Sequence, residues 1–381
     1  MKKYMHIAQT LEEEICAGRW AVGERLPIEP ELCARFDVAR QTLRQAVGVL
    51  EEQGLVERLQ GSGTYVRATI PAQKKRQTVC VMTTYLDEYI FPEIISGAEE
   101  VLTAGGYNML MRLTRNRIST ERQNLLELQS SDCSGLIIEG TKTALYNPNN
   151  AIYQTLAGTP VVFINGWSRE LTGVSYVAAD DYQGARSVTE YLISRGHTRI
   201  AGIFKHDDVQ GLKRHQGYVD ALMAAGLPME EESWRWFATE DMELLFQPPL
   251  LDWLRRYTAV VCYNDRVAVW LMKFAREHGL RVPEDLSVTG FDDSSVAELV
   301  GLTTVAHPGA ELGRTAAQVV IQLMKDPETP VQKLLPAPLV ERSSVRDLRK
   351  SAFMKNSRAC GASAGARFLT RYNAQIFLFF V

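Results

Sequence analysis

From Thr78 onward short apolar runs alternate with amphipathic stretches, and this rhythm limits the possible folds more than any other feature of the chain. Val79–Met82, Met109–Leu113, Gly135–Ile138 and Val161–Ile164 are separated by helix-like segments that include Pro92–Ala104 and Glu121–Leu128. The pattern returns with helix Tyr182–Arg195, strand Ile200–Phe204, helix Lys213–Ala225, strand Val260–Tyr263, helix Arg266–Glu277 and strand Leu286–Gly290. Strand–helix repetition of this kind predicts parallel sheets with crossover helices. Residues 78–343 fit two α/β lobes better than one oversized sheet.

In such sheets ligands sit beyond the carboxyl ends of the strands. Those positions are unusually polar here: Glu139 with Lys142, Lys205-His206-Asp207-Asp208, Asn264-Asp265 and Asp292-Asp293. Four clusters at four strand ends can converge on one cleft. Carboxylates, amides and cations interspersed with Tyr85, Tyr89, Phe91 and Trp167 suit a neutral polyhydroxylated ligand, whose vicinal hydroxyls take paired hydrogen bonds while a ring covers its C–H face. Paired carboxylates could also serve a glycosidase. The sequence holds no P-loop, HExxH or glycine-rich dinucleotide fingerprint, so a binding cleft without catalysis or cofactor is expected. Asp265 and Asp293 are expected to cap helices, His197 to make structural hydrogen bonds, and Trp234 and Trp236 to pack at the surface.

Residues 1–70 follow a different plan. Ile7, Leu11 and Ile15 recur at every fourth position of a helix spanning Tyr4–Ala17 that stops at Gly18; a short helix follows over Pro30–Phe36. A third, Arg40–Gln53, has Leu43, Val47 and Leu50 on one side and Arg40, Gln41, Arg44 and Gln45 on the other, as a recognition helix in a major groove requires. Leu55–Arg58 and Thr64–Arg67 flank the glycine-rich Gln60-Gly61-Ser62-Gly63, a hairpin able to approach a DNA backbone closely. The outcome expected is a small winged helix-turn-helix domain. A three-helix interaction module whose arginines are simply solvated would show the same periodicity. Lys2, Lys3 and Arg25 are candidates for phosphate contacts. Residues 71–77 are polar and basic and read as a linker.

Charge placement agrees with this division. The net charge is −3, with +2 on residues 1–76 and +6 on residues 345–381, which leaves −11 on the body. DNA affinity has to come from a local face of the head.

The runs Gly23-Glu24-Arg25-Leu26-Pro27-Ile28-Glu29, Val38-Ala39-Arg40-Gln41-Thr42-Leu43-Arg44-Gln45-Ala46, Gly54-Leu55-Val56 and Gln60-Gly61-Ser62-Gly63-Thr64-Tyr65-Val66 together resemble the N-terminal domain of GntR-type regulators. The resemblance implies that Arg40 and Arg44 approach DNA from the recognition helix, Glu29 from the start of the second helix, and Gln60 with Gly61 from the wing. Two departures stand out: Ala39 replaces a usual serine and cannot cap the helix, at a cost of about 1 kcal/mol, and Ile28 and Pro30 flank the glutamate. Position 30 is therefore assigned no base contact.

Further on, Gly196-His197-Thr198-Arg199-Ile200, Arg214-His215-Gln216-Gly217-Tyr218, Tyr263-Asn264-Asp265, the run from Val282 to Asp293, and Leu302-Thr303-Thr304-Val305 resemble the effector domain of LacI-type regulators, which is similar to periplasmic sugar-binding proteins. By that likeness Arg214, Asn264 and Asp292 hold the sugar, and His307 enters the cleft from the returning segment. A GntR-like head on a LacI-like body resembles the arabinose-responsive repressors of Gram-positive bacteria. Tyr89-Ile90-Phe91-Pro92, Glu139-Gly140-Thr141-Lys142 and Gly202–Asp208 look like that group as well and add Tyr89, Glu139, Lys205 and Asp207 to the cleft candidates.

The expected protein is a repressor that binds a pseudo-palindromic operator as a homodimer through its sensor and is released by a sugar, with L-arabinose implied by the resemblance. Another pentose or a purine is the alternative effector; a sugar-processing enzyme carrying a DNA-binding domain is the alternative from another class. The six cysteines lack any CxxC, so neither a metal site nor a disulfide framework is expected. No apolar secretory core follows Met1 and no run reaches the roughly 18 apolar residues of a membrane helix, so a cytoplasmic location with no membrane partner is expected. Residues 344–381 form a basic segment with an apolar end that fits neither family.

Overall fold

Spacing by four places Ile7, Leu11 and Ile15 on one side of a helix, and all three are buried in α1 (Lys3–Cys16). The structure is a computed structural model that describes residues 3–59, 62–67, 77–86, 90–156, 158–326 and 329–349. α2 (Glu29–Phe36) ends at Asp37, whose left-handed backbone turns the chain into α3 (Arg40–Glu52). Leu43, Ala46 and Leu50 of α3 complete the core with the α1 residues. Neither Ile28 nor Ala39, the N-cap residues of α2 and α3, makes a side-chain cap. β1 (Val56–Leu59) and β2 (Gly63–Val66) pair antiparallel, and backbone bonds from Gly23 and Leu26 to Val66 and Thr64 lay a further segment along β2. Glu14 pairs with Arg35 and so ties α1 to α2. This head, up to Arg76, and the chain from Gln77 on are two separate compact units.

The second unit holds two parallel sheets, as the alternating rhythm predicts. Its first lobe runs β3 (Thr78–Thr83), α4 (Phe91–Ala104), β4 (Asn108–Leu113), α5 (Ile118–Gln129), β5 (Cys133–Ile138), α6 (Asn150–Thr155), β6 (Val161–Ile164) and β7 (Ser175–Ala179). The chain then builds the second lobe: α7 (Asp181–Ser194), β8 (Ile200–Lys205), α8 (Val209–Ala224), β9 (Trp234–Phe237), α9 (Pro249–Leu254), β10 (Ala259–Cys262), α10 (Asp265–Glu277), β11 (Ser287–Thr289), α11 (Ser295–Leu299) and β12 (Thr304–Val305). It returns to the first lobe with α12 (Gly309–Lys325) and β13 (Gln332–Leu335), and ends in the second with β14 (Leu339–Val340), which pairs with β12. The sheet orders are β13-β7-β6-β5-β3-β4 and β11-β10-β8-β9.

Three backbone crossings thus join the lobes: after β7, between β12 and α12, and between β13 and β14. The strands buried on both faces read as continuous apolar runs, Val79-Cys80-Val81-Met82 and Leu136-Ile137-Ile138 among them. From Ser344 to Leu348 the chain stays fastened to the second lobe. Ser344 Oγ donates to Val288 O at 2.6 Å, Arg346 N donates to Ser287 Oγ at 3.0 Å, and Leu348 N donates to Arg195 O at 2.9 Å. His197 belongs to this seam, with Nδ1 2.9 Å from Thr258 Oγ1 and Nε2 3.1 Å from Arg346 O. Among the described residues no helix is long and apolar enough to cross a membrane.

α12 closes the first lobe by packing on α4 with almost no side chain between them. A Cβ at Gly97 would meet Ala310 O at 2.1 Å, and one at Gly313 would meet Ile94 O at 1.9 Å. Both obstacles are backbone, so the helices would have to move apart. Gly313→Ala should therefore cost about 1–3 kcal/mol from overpacking, although alanine is the better helix former by about 1 kcal/mol. A urea midpoint that stays level or rises would contradict this contact.

Candidate functional site

The head presents one polar face. α3 buries Leu43, Ala46, Val47 and Leu50 and leaves Arg40, Gln41, Arg44 and Gln45 exposed, as the periodicity requires. Arg44 lies against Glu29 of α2 in a two-point pair, Nε to Oε1 at 3.0 Å and Nη2 to Oε2 at 3.2 Å. The hydrogen bond from Arg44 holds the Glu29 carboxyl below its usual range. Arg58 reaches from β1 to the carbonyl of Arg44 at 2.9 Å. Lys3 donates to Asp37 O at 3.1 Å, at the turn into α3. Arg25 lies beside Gly63, where a Cβ would meet its Nε at 2.5 Å. Gln60 and Gly61 lie outside the described residues. Glu29 and Arg44, both expected to approach DNA, are thus brought into contact, and the carboxylate orients the guanidinium.

In the sensor, the strand ends of both lobes line one cavity. The space open to the centre of a water-sized sphere is about 110 Å³, far above the roughly 10–15 Å³ that one water needs. Glu139 follows β5, Lys205 ends β8, Asn264 and Asp292 follow β10 and β11, His307 enters from a lobe crossing, and Arg214 rises from α8; all six line the cavity. Tyr89 lies outside the described residues.

Arg214 dominates the second-lobe side. It is 4% exposed and donates to Asp181 Oδ1 at 2.8 Å, Tyr263 O at 2.6 Å and Asp292 Oδ1 at 3.4 Å. Its guanidinium lies 3.7 Å from the centre of the Phe291 ring. Burial disfavours its charge, but the carboxylates of Asp181 and Asp292 more than offset that and raise its pKa. Lys205 pairs with Asp208 at 2.7 Å, and Tyr263 Oη donates to the same carboxylate at 2.9 Å.

Several expectations are corrected by this geometry. Asp207 is not among the cavity-lining residues. It is 1% exposed, and its carboxylate accepts from Thr239 N and Oγ1 at 3.1 and 2.7 Å; Asp208 lines the wall in its place. Asp265 does not cap α10. Asn264 does so, its side chain accepting from Val267 N at 3.0 Å, while buried Asp265 receives Thr304 Oγ1 at 2.6 Å and Ser294 N at 2.7 Å. Burial pushes Asp265 up to about 6. Ser294, not Asp293, caps α11, and Asp293 pairs with Arg342 at 2.6 Å. Trp167 stacks on Tyr176 at 3.9 Å and does not line the cavity, whereas Tyr85 and Phe91 do. Trp234 and Trp236 lie on the edge strand β9 around His215, with Trp236 exposed.

Asn165, Asp181, Asn116 and Thr239 were missed from sequence and line the cavity. The Asn165-Gly166 pair directly after an apolar run is a turn signal that marks the first of them. Asn116 and Thr239 bridge the rim: Asn116 Nδ2 donates to Thr239 Oγ1 at 2.7 Å. Nearby, Lys142 Nζ meets Glu240 at 2.6 Å and Val209 N donates to Thr143 Oγ1 at 2.9 Å. The lobes are therefore fastened to each other across the mouth.

On the first-lobe side, Glu139 accepts from Thr84 N at 3.3 Å, from Thr84 Oγ1, and from Asn165 Nδ2 at 3.0 Å. Burial raises it to about 7 against the pull of these donors. His307 is pushed down to about 3 by burial and by Arg214.

Two family descriptions match the chain: bacterial regulatory proteins of the gntR family over residues 3–66, and the periplasmic binding protein-like domain over residues 189–345. The arabinose metabolism transcriptional repressor of Geobacillus stearothermophilus is 39% identical over 339 residues, covering 85% of this chain and 92% of the relative. That of Halalkalibacterium halodurans is 36% identical over 340 residues, covering 85% and 89%. Among solved structures, the transcriptional regulator CelR in complex with cellobiose is similar with a TM-score of 0.64 and 25% identity, over 84% of this chain and 100% of that one. CcpA of Lactococcus lactis is similar with a TM-score of 0.65 and 25% identity, over 71% and 100%.

The two titrating groups pull stability in opposite directions. Glu139, raised in the folded state, contributes stability that is complete below pH 4.5 and is lost as pH rises through about 7. His307, lowered in the folded state, contributes stability above pH 6.5 that is lost as pH falls toward 3. Glu139→Gln removes the first effect. Its stability relative to the parent should grow by about 3 kcal/mol between pH 4.5 and pH 8, measured by urea unfolding; a difference that is flat with pH would show that Glu139 ionises as freely as in water.

Proposed function

This chain belongs to the family of arabinose metabolism transcriptional repressors, and on that premise we propose that L-arabinose is its effector and that it holds a pseudo-palindromic operator as a homodimer until the sugar releases it. The protein is a sugar-responsive, DNA-binding transcriptional repressor with a GntR-type head and a LacI-like sensor, and not an enzyme. The likeness to two arabinose repressors over 85% of this chain carries the choice of sugar. The pairing of charges in the cavity supports it. Arg214 and Lys205 are held by the carboxylates of Asp181, Asp292 and Asp208, which favours a neutral polyol over a phosphorylated or ionised ligand. Arg214, Asn264, Asp292, His307, Lys205, Glu139 and Tyr89 are the proposed sugar contacts. Arg40, Gln41, Arg44, Gln45, Glu29, Gln60 and Gly61 are the proposed readers of DNA, with Lys3 and Arg25 on phosphates.

A sugar can shift the repressor only through unequal affinity for two lobe arrangements. The rim bonds from Asn116, Lys142 and Thr143 to the second lobe belong to the closed one. Closure would alter how the two subunits meet and so the spacing of the heads.

Calorimetric titration with L-arabinose, D-xylose, D-ribose and hypoxanthine tests the effector. L-arabinose should bind most tightly and weaken the affinity for an operator selected from random duplexes; equal operator affinity with and without it would reject the mechanism. Hypoxanthine stands for the alternative effector, a purine. In the head, Arg44→Ala should abolish preference for that operator while leaving weak, salt-sensitive binding to any duplex. Retained preference in anisotropy competition would remove Arg44 from the readers. Lys142→Met should speed sugar release by up to about fivefold, the range of an exposed ion pair, in stopped-flow displacement.

A further inference from the structure

Asn165 holds a left-handed backbone, φ 60, directly after β6. Such a conformation is strained in a residue other than glycine and persists where the surroundings fix it. Its surroundings are Glu139 on one side, 3.0 Å from Nδ2, and His307 on the other, with Nε2 3.2 Å from Oδ1. The orientation of the amide follows from Glu139. One carboxylate oxygen already takes both donors of Thr84, so above about pH 7, where Glu139 is ionised, the other is an acceptor facing Asn165 and the amide nitrogen must lie toward it. The amide oxygen then faces His307, and Nε2 must carry the ring proton to donate to it. Nδ1 is left as a lone pair. It is buried with no partner among the described residues, and His307 lines the cavity. A buried acceptor without a donor is a cost that a ligand hydroxyl would recover.

We infer that Asn165 is a positioning residue that fixes His307 with Nδ1 as acceptor, so that the cleft selects a sugar bearing a hydroxyl donor at that point. The inference rests on the reading of this cleft as the effector site, but its first half can be tested without any sugar.

Nitrogen NMR of the full-length protein with labelled histidine at pH 8 should show, for His307, a protonated Nε2 and a bare Nδ1. Glu139→Gln should invert this. The glutamine oxygen would take the Thr84 donors and its nitrogen would donate to Asn165, whose turned-over amide then donates to Nε2 and moves the ring proton to Nδ1. A merely structural role for Asn165 predicts no inversion. A His307 tautomer that is the same in both proteins, or a bare Nε2 in the parent, overturns the relay.

Calorimetry with L-arabinose and its monodeoxy analogues tests the second half. In the parent, one deoxy position should cost about tenfold in affinity, and His307→Phe should shrink that penalty, and no other, to about twofold or less. Asn165→Gly, which suits the left-handed backbone and should fold, should weaken L-arabinose binding and blur the same penalty. L-arabinose binding with equal penalties in parent and His307→Phe overturns the inference and leaves the reading of the cleft intact. A parent that binds no pentose overturns both.

Discussion

A guanidinium shut away from water holds the ligand side of the second lobe together. Removing such a charge from solvent costs several kcal/mol, and only close, well-aligned partners offset it. Arg214 has them: Asp181 from the start of α7, the carbonyl of Tyr263 after β10 and Asp292 after β11, with the Phe291 ring across its face. Four segments distant in sequence are therefore fixed at one point. The same bonds consume the charges, so the wall offered to a ligand is polar but close to electrically balanced.

The first lobe solves its half of the cleft differently. Its contribution is a chain of hydrogen-bonded groups, Thr84, Glu139 and Asn165, that reaches His307 on a lobe crossing. One side of the cleft is set by ion pairs and the other by hydrogen-bond direction. Because His307 sits on a crossing, a ligand that touches it also touches the backbone that must bend when the lobes part. Binding and lobe position are thereby coupled through one residue.

Much of this was legible in the sequence. Two parallel sheets follow from the alternation of apolar runs and amphipathic stretches, because β-strands buried on both faces and helices buried on one leave different periods. The recognition helix is equally readable, since Leu43, Val47 and Leu50 leave Arg40 and Arg44 no place but the surface. The return of α12 and β13 to the first lobe was not legible: periodicity reports which face is buried, never against which sheet. The exchange of roles between Asn264 and Asp265, and between Asp207 and Asp208, escaped for a related reason. Adjacent polar residues at a strand end point in different directions, and which one caps a helix depends on where the turn places it. Asn165, Asp181 and Thr239 gather at the cavity only through tertiary contact.

The close seating of α12 on α4 also bears on how the protein is made. The apolar face of the first sheet, Val79, Val81, Ile137 and Val162, is covered in part by Leu312, Ala316, Val319 and Val320 of α12. During synthesis those strands leave the ribosome well before their cover, while the head, complete by Arg76, can fold at once. The second lobe's strands, β8 to β11, also precede α12 in the chain. The sheet that begins first is therefore covered only after most of the second lobe has been made, and its apolar face stays open until residue 323 has emerged.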